Sequence, residues 1–261
     1  MEETIKQPRN GVLKFGHHHR AKNFFVLTTG RSGSMAIAHA LSQHSKIHCL
    51  HEAKYRLRRL SFEVEHNLID RTAAMEIMLD LYKRLGDRRN IVYGESDHKL
   101  FNLFPFLREI EPKAKYLWLL RDGRDVVAST YHRGWFSKED MSTDWGKCRI
   151  NGFGCGEFAE EEWWSLTRFQ RNCWYWKYVN DKILTELKKV DPYYWFPVHL
   201  EYLSENLNEI QRFLGVQRES LVLEQKNKAT YRVVKWQNWT KEERDSFDSI
   251  CGEMMRIVGY Y

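Results

Sequence analysis

The feature that most constrains the fold of this chain is a short apolar run that stops at a glycine and is followed at once by helix formers. Residues 24–29 (FFVLTT) are apolar and β-prone, Gly30 ends the run, and residues 34–44 are rich in Ala, Met and Leu. The first segment predicts a buried strand and the last predicts a helix. A strand, a tight glycine turn and a helix form a P-loop-like layout in which the helix N-terminus binds phosphate.

The same alternation continues along the 261 residues and predicts the fold class. Further strands are predicted at residues 47–50, 90–94, 115–120 and 194–200, and further helices at 70–85, 100–110, 160–189, 204–214 and from Thr240 onward. Alternating strands and helices indicate a mainly parallel sheet flanked by helices. We therefore expect a single α/β domain over residues 23–261, after a flexible N-terminal arm over residues 1–22. The glycine-rich stretch 134–160 interrupts the alternation and predicts a long loop, of a kind that is usually functional or disordered.

Composition narrows the class of partner. The chain has 41 Lys and Arg against 35 Asp and Glu, a net charge of +6, which favours anionic partners such as nucleotides. Nucleic acid is not expected, because the densest basic stretch, residues 54–59, is typical of a solvated helix face. The five cysteines contain no C-x-x-C pair, which favours free thiols over disulfides or a zinc site. Without a long apolar run or an apolar leader, we expect a cytoplasmic protein with no stable membrane insertion.

The turn after the first strand has the residue types of an anion cradle. Residues 29–34 (TGRSGS) combine glycines, hydroxyls and Arg31. Glycines let backbone N–H groups turn toward an anion, and an arginine can bind two of its oxygens. The triphosphate loop G-x-x-x-x-G-K-[ST] is absent, because Gly30 and Gly33 are too close and no Lys-Ser/Thr pair follows; its usual magnesium ligand is therefore missing. A tight turn without a ligand is the structural alternative.

A second segment has the residue types of a phosphate site. Arg121 follows the predicted strand 115–120, and Ser129 lies about two turns into the next helix. Both side chains can meet one phosphate, the arginine as a charge and the serine as a neutral donor. Alone, an arginine at the end of a strand is as often part of a structural ion pair.

Together the two segments resemble the superfamily of sulfotransferases that use 3′-phosphoadenosine 5′-phosphosulfate (PAPS). Its 5′-phosphosulfate loop, [K/R]-S-G-[S/T]-[T/M], is matched by Arg31-Ser32-Gly33-Ser34-Met35. Its 3′-phosphate signature, R-D-G-R-D-V with Arg and Ser eight positions apart, is matched by Arg121 to Ser129. Stretches 198–216 and 235–260 are similar to the family's "Y-E-D-L … F-L-G" and "W-K-N … T … G-Y" blocks. The resemblance thus spans residues 24–261.

The resemblance implies which residues bind the nucleotide. Residues 31–35 are expected to bind the 5′-phosphosulfate, and Arg121 and Ser129 the 3′-phosphate. Met35 replaces a threonine of many members, and Ala36 replaces the tryptophan that stacks on adenine in some branches. The adenine platform must then lie elsewhere, and Lys235 and Trp236 in the C-terminal block are the candidates for additional nucleotide contacts.

Two residues are candidates for the base that takes the proton of the acceptor. Glu52 follows Arg31 by 21 residues, the spacing at which the tyrosylprotein branch places a catalytic glutamate. His98 follows the strand after which small-molecule members place a catalytic histidine. The spacing from Arg31 favours Glu52 as the base, and His98 remains the alternative. Each residue also has a structural interpretation: for Glu52 an ion pair with Lys54 or Arg56 in place of a catalytic role, and for His98 a surface position. Arg31 is the better candidate, and Lys99 the weaker, for holding the leaving group.

The resemblance also implies a reaction and its partners. We expect transfer of a sulfuryl group from PAPS to a hydroxyl or amine of a small-molecule or glycolipid-type acceptor, with no metal and with release of 3′-phosphoadenosine 5′-phosphate (PAP). Residues 134–160 are expected on the acceptor side. The rival hypotheses are a P-loop nucleotide or small-molecule kinase and a non-catalytic nucleotide-binding module.

Overall fold

The core of the fold is a sheet of five parallel strands. A computed structural model describes residues 21–83, 90–223 and 235–261. In sheet order β2-β3-β1-β4-β5, the strands are β1 (Asn23–Thr28), β2 (Ile47–His51), β3 (Val92–Ser96), β4 (Lys115–Leu120) and β5 (Trp195–His199). Every neighbouring pair in this order is parallel. The predicted α/β class is confirmed, and the sheet is wholly parallel.

Helices cover both faces of the sheet. Those of the described residues are α1 (Ser34–Leu41), α2 (Arg56–Glu65), α3 (Arg71–Tyr82), α4 (Phe104–Ile110), α5 (Gly123–His132), α6 (Lys138–Ser142), α7 (Glu160–Ser165), α8 (Arg168–Leu187), α9 (Leu203–Leu214) and α10 (Lys241–Ile257). Successive side chains of a strand point to opposite faces. Phe25 and Leu27 accordingly pack in a core with α8 and α10, whereas Phe24 and Val26 pack in a second core with α1 and α9.

The predicted helix over residues 160–189 is wrong at one point, because two helices occupy this stretch. α7 ends at Ser165, and Thr167 begins α8 with a capping box. The Thr167 hydroxyl accepts a hydrogen bond from the Gln170 N–H at 3.2 Å, and the Gln170 side chain accepts one from the Thr167 N–H at 2.8 Å. These bonds satisfy the N–H groups that a helix start leaves open, so the chain turns here instead of continuing.

The glycine-rich stretch 134–160 has more regular structure than the sequence predicts. It contains α6, the start of α7 and a short 3₁₀ turn at Gly146–Cys148. Arg149 ties the stretch together by donating to both carboxylate oxygens of Asp140, at 2.6 and 2.8 Å.

The predicted arm over residues 1–22 lies outside the described residues except for its last two. The Ala21 N–H donates to the Leu214 carbonyl at 3.0 Å, and the Lys22 carbonyl accepts from the Tyr93 N–H at 2.9 Å. Lys22 therefore extends the pairing of β1 with β3, and Ala21 is hydrogen-bonded to the end of α9. Among the described residues, no helix combines the length and the apolar content needed to span a membrane.

Candidate active site

The predicted site residues meet at one edge of the sheet. Arg31 follows β1, Glu52 follows β2, His98 follows β3 and Arg121 follows β4. Because the strands are parallel, their carboxyl ends share an edge, which is where ligands bind in open α/β sheets. Ser129 lies within α5, and Lys235 and Trp236 lie at the start of the short 3₁₀ turn Trp236–Asn238.

The loop between β1 and α1 has a backbone that requires glycine at one position. Gly33 has φ = 88°, in the left-handed region, and a Cβ atom there would lie 2.4 Å from the side chain of Leu200. Arg31 is also left-handed, with φ = 66°. The Thr29 and Ser32 hydroxyls hydrogen-bond to each other beneath the loop. The turn is thus held in a conformation that an ordinary strand–helix connection does not need.

The structure brings the two predicted phosphate segments together. The Arg31 Nε donates to the Ser129 Oγ at 3.3 Å, and the Arg121 Nη1 donates to the Arg31 carbonyl at 2.7 Å. Arg121 also lies 3.9 Å from the Asp125 carboxylate, a long contact for an ion pair. Two guanidinium groups and the Ser129 hydroxyl therefore converge beside the N-terminus of α1, a set of donors suited to oxyanions.

Glu52 and His98 form a hydrogen-bonded pair. Glu52 directly follows β2 with φ = 45°, and its N–H donates to the Ser96 carbonyl at 3.1 Å. Its Oε1 then lies 3.0 Å from the His98 Nδ1. The sequence offered these residues as alternatives, and the structure places them in contact.

Lys99 adds a cation to this pair. Its ammonium lies 3.5 Å from the Glu52 Oε2 and 3.0 Å from the Asp97 Oδ1. Glu52, Asp97 and His98 are the group of described residues whose ligand atoms lie close enough to hold a metal, within 4.8 Å of one another. The Lys99 ammonium contacts the carboxylates of both Glu52 and Asp97, so it offsets part of their negative charge.

The surroundings of Glu52 set its protonation state. Burial acts to raise its pKa, but the His98 hydrogen bond and the charges of His98, Lys99 and His51 outweigh burial and lower the pKa to about 2. At neutral pH the group is therefore a carboxylate with little tendency to accept a proton. His51 connects this cluster to the phosphate loop, since its Nε2 lies 2.9 Å from the Ser34 Oγ.

The proposed structural partners of Glu52 are engaged elsewhere. Lys54 pairs with the fully buried Glu95 and donates to the Tyr93 hydroxyl at 3.1 Å, and Arg56 pairs with Asp80 at 3.0 Å. Burial foremost raises the pKa of Glu95, against the nearby Lys54 charge. The Lys54–Glu95 pair thus anchors the turn after β2 from beneath.

Lys235 and Trp236 lie between α5 and α10. The Trp236 ring is 4.3 Å from the guanidinium of Arg124, and both residues line a cavity with α10 side chains. Lys235 is exposed at the start of the 3₁₀ turn Trp236–Asn238. The ring contact described for Trp236 is with Arg124 rather than with Arg31 or Ser129, so its role in nucleotide binding stays a prediction.

Several residues of the site were not predicted from the sequence. The Gly30 N–H donates to the Tyr175 hydroxyl at 3.2 Å, and burial foremost raises the pKa of Tyr175 to about 12, so the phenol stays neutral. A Cβ atom on Gly30 would lie 2.6 Å from the Trp135 ring. Tyr175 and Trp135 also line a cavity beside His98. Both come from distant helices and loops, and no spacing in the sequence signals the contact.

The fold is similar to that of two solved sulfotransferase structures. A sulfotransferase from Alicyclobacillus acidocaldarius has a similar structure, with a TM-score of 0.55 and 16% identity over 92% of this chain and 96% of that one. A sulfotransferase from Mycobacterium avium has a TM-score of 0.56 and 11% identity over 91% of this chain and 77% of that one. At such identities the likeness shows the fold. A sequence comparison with curated proteins finds no significant match.

The family assignment rests on the sequence pattern of nearly the whole chain. Residues 21–256 match the family model described as the sulfotransferase domain. The matched region contains all five strands and both phosphate segments. The chain therefore belongs to the sulfotransferase domain family.

Proposed function

We propose that the protein transfers a sulfuryl group from PAPS to a hydroxyl or amine of a small-molecule acceptor and releases PAP. The observation that carries the proposal is the position of two clusters at one edge of the sheet. Arg31, Arg121 and Ser129 form the anion-binding cluster, and Glu52 and His98 form the acid–base cluster. His51 lies between them, with its Nε2 2.9 Å from the Ser34 Oγ of the phosphate loop and 3.8 Å from the Glu52 Oε1. This arrangement supports a donor held by its phosphates with its reacting end beside a base.

The donor groups of the chain fit such a nucleotide. We assign residues 31–35 to the 5′-phosphosulfate, because this loop combines a guanidinium, hydroxyls and the N-terminus of α1. Arg121 and Ser129 are assigned to the 3′-phosphate. PAPS supplies the sulfuryl group and PAP is its leaving group; what the protein adds is placement and stabilisation of charge.

We propose that His98 is the base and that Glu52 positions it. An imidazole nitrogen is the commonest general base in proteins, whereas a carboxylate with a pKa of about 2 is a weak base. The Glu52 Oε1 at 3.0 Å fixes the tautomer in which Nδ1 carries the proton, leaving Nε2 to accept one. Direct action by Glu52, which the sequence spacing favours, is the alternative that the experiment must separate.

Arg31 and Lys99 have different assignments. Arg31 lies in the phosphate loop, and we assign it to the charge that develops on the leaving phosphate. Lys99 contacts two carboxylates, at 3.0 and 3.5 Å, and is buried. We assign Lys99 mainly to holding Glu52 ionised, with a smaller share in the leaving group.

The test is transfer of radiolabelled sulfate from PAPS to a panel of phenols, alcohols and amines in the presence of EDTA. His98→Asn should lower kcat by roughly 10²- to 10⁴-fold, the usual contribution of a general base, and should leave PAP affinity intact. Glu52→Gln should retain part of the activity and change its pH profile. His48→Asn, a substitution in β2 away from the pair, is the control.

Three results would contradict these assignments. Glu52 would be the direct base if Glu52→Gln lost as much activity as His98→Asn and its residual activity kept the wild-type pH profile. Phosphoryl transfer from ATP that depends on magnesium would favour the kinase. Nucleotide binding without any transfer would favour a non-catalytic module.

A further inference from the structure

A narrow cavity opens beside His98, and two of its lining residues, Trp135 and Tyr175, adjoin Gly30 of the phosphate loop. Its polar lining includes His98, Lys99, Arg58 and Arg149, and its walls include the rings of Trp135, Trp145 and Tyr175. The cavity is half-open and encloses only about 40 Å³, so if His98 takes the acceptor's proton, the rest of the acceptor extends along its open mouth beside Trp145 and Arg58. Its lining then determines which acceptors fit.

Two of the three cations in this cavity are neutralised by the protein. Lys99 contacts Asp97 and Glu52, and Arg149 donates to both oxygens of Asp140. Arg58 differs, because within the described part of the chain its guanidinium has no carboxylate partner. The cavity therefore carries a positive charge that the protein leaves uncompensated.

The two neighbouring arginines on α2 have carboxylate partners, unlike Arg58. Arg56 pairs with Asp80 at 3.0 Å, and Arg59 pairs with Glu63 at 2.7 Å. Both point to partners on the protein surface, whereas Arg58 is half-buried and lines the cavity. An arginine at a cavity wall without a counter-charge has donors that can receive an anion.

The geometry of Arg58 leaves its donors available. Its guanidinium carbon lies 4.2 Å from the centroid of the Trp145 ring. Stacking on a ring uses the flat face of a guanidinium and leaves the N–H groups at its edge. That edge matches the two oxygens of a carboxylate in a bidentate pair.

The rings of the cavity favour a flat partner. Trp135 and Tyr175 meet edge to face, with centroids 5.3 Å apart and planes at 76°. Trp145 covers the other side, with the Lys99 ammonium 5.3 Å from its ring and 55% of the residue exposed. Aromatic walls close together select planar, ring-containing ligands with few polar anchors.

We infer that the acceptor is a phenol or aryl alcohol that also carries a carboxylate, and that Arg58 recognises this carboxylate. The inference rests on the proposed function, because it places the acceptor hydroxyl at His98. Arg58 then determines specificity by binding the acid at the far end of the ring, and it takes no part in the transfer itself.

The test compares an acid with its neutral ester: 3-(4-hydroxyphenyl)propanoate and the methyl ester of that compound. A hydrogen-bonded charge pair is worth roughly a ten- to hundredfold difference, so the wild-type kcat/KM should favour the acid by that factor. Arg58→Met should reduce the acid-to-ester ratio to about one, and Arg58→Lys should restore part of it. Arg59→Met, one position along α2, is the matched control and should leave the ratio unchanged.

Calorimetry separates failure of this inference from failure of the proposed function. PAP binding and PAPS turnover test the function, whereas binding of the acid and the ester to the protein, with and without PAP, tests the cavity directly. Equal affinity for the acid and the ester, binding of neither, or an equal loss for both in Arg58→Met would each overturn the inference. Acid-selective binding that Arg58→Met abolishes would support it even in a protein that does not turn over PAPS.

Discussion

Glu52 is a residue whose pKa depends strongly on its neighbours. Its folded-state pKa of about 2 lies below the ordinary value of 4.5. A depressed pKa stabilises the folded state above pH 4.5, and the stabilisation is lost as the pH falls from 4.5 toward 2. The contribution therefore belongs to the neutral and mildly acidic range.

Replacement of Glu52 should reveal this dependence. Glu52→Gln should lower the free energy of unfolding at pH 7, because the Lys99 ammonium loses a counter-charge and His98 loses a charged hydrogen-bond acceptor. The difference from wild type should shrink as the pH falls below 4.5. Urea unfolding at pH 7, 5 and 3.5 measures it, and a difference that does not change with pH would contradict the prediction.

Ser129 offers a test of the nucleotide assignment. Ser129→Ala removes the hydroxyl near the Arg31 guanidinium and leaves the backbone of α5 intact. If this hydroxyl binds the 3′-phosphate, PAP affinity should fall by roughly tenfold, as expected for a hydrogen bond to a charged group. The affinity for adenosine 5′-phosphate, which lacks that phosphate, should not change.

Calorimetric titration with both nucleotides makes the measurement. Ser165→Ala at the end of α7 is the control, since among the described residues its hydroxyl donates to the Glu162 carbonyl of its own turn. An equal loss for both nucleotides in Ser129→Ala would mean that the serine supports the loop as a whole.

At the scale of elements, the turn between β1 and α1 can be compared with another turn in the chain. Gly33 and Gly156 have similar backbones, with φ of 88° and 77°. A Cβ atom at Gly33 would meet Leu200 at 2.4 Å, whereas one at Gly156 would meet nothing within 4 Å. Gly156→Ala should therefore cost about 1–2 kcal/mol of unfolding free energy, from the left-handed backbone alone.

Gly33→Ala should cost more than that, because Leu200 must also move, and it should weaken PAP binding. Urea denaturation of the two variants gives the comparison. Equal costs would show that Leu200 yields without strain.

Much of this element structure could be predicted from the sequence. Apolar runs that stop at charged or glycine turns locate β1 and β4 within a residue or two, because a buried strand must end where the polar turn begins. The break between α7 and α8 was missed, although Thr167 and Gln170 have capping-box spacing, because the apolar periodicity runs through it. The capping-box spacing predicts a helix start at Thr167, whereas the apolar periodicity predicts one continuous helix. The structure follows the capping box.

The site could be predicted only in part. Residues that follow strand ends were found, because parallel strands bring their carboxyl ends to one edge. The Gly30–Tyr175 hydrogen bond joins residues 145 positions apart, and the pairing of Lys99 with Asp97 and Glu52 depends on side-chain direction. Such contacts follow from tertiary packing, which no spacing in one sequence encodes.

At the scale of the molecule, nucleotide binding should stabilise the whole domain, because the proposed contacts join the loops after β1 and β4 with α5. A ligand that binds only the folded state at 100 times its Kd adds about 2.7 kcal/mol to the free energy of unfolding. PAP at that concentration should raise the Tm, and EDTA should not change the effect. Stabilisation by ATP with magnesium, and none by PAP, would contradict the assignment.

The position of β2 at the edge of the sheet affects how stably the proposed site is held together. β2 is an outer strand that pairs only with β3 in the described sheet, and its last paired residues are His51 and Ser96. Glu52 and His98 stand just beyond this last pair. A slip of one residue turns every side chain of a strand to the opposite face, which would part the two. Under the roles proposed for Glu52 and His98, proton transfer would depend on the register of this outer strand, and local unfolding of β2 would abolish transfer while the buried centre around β1 and β4 stays folded.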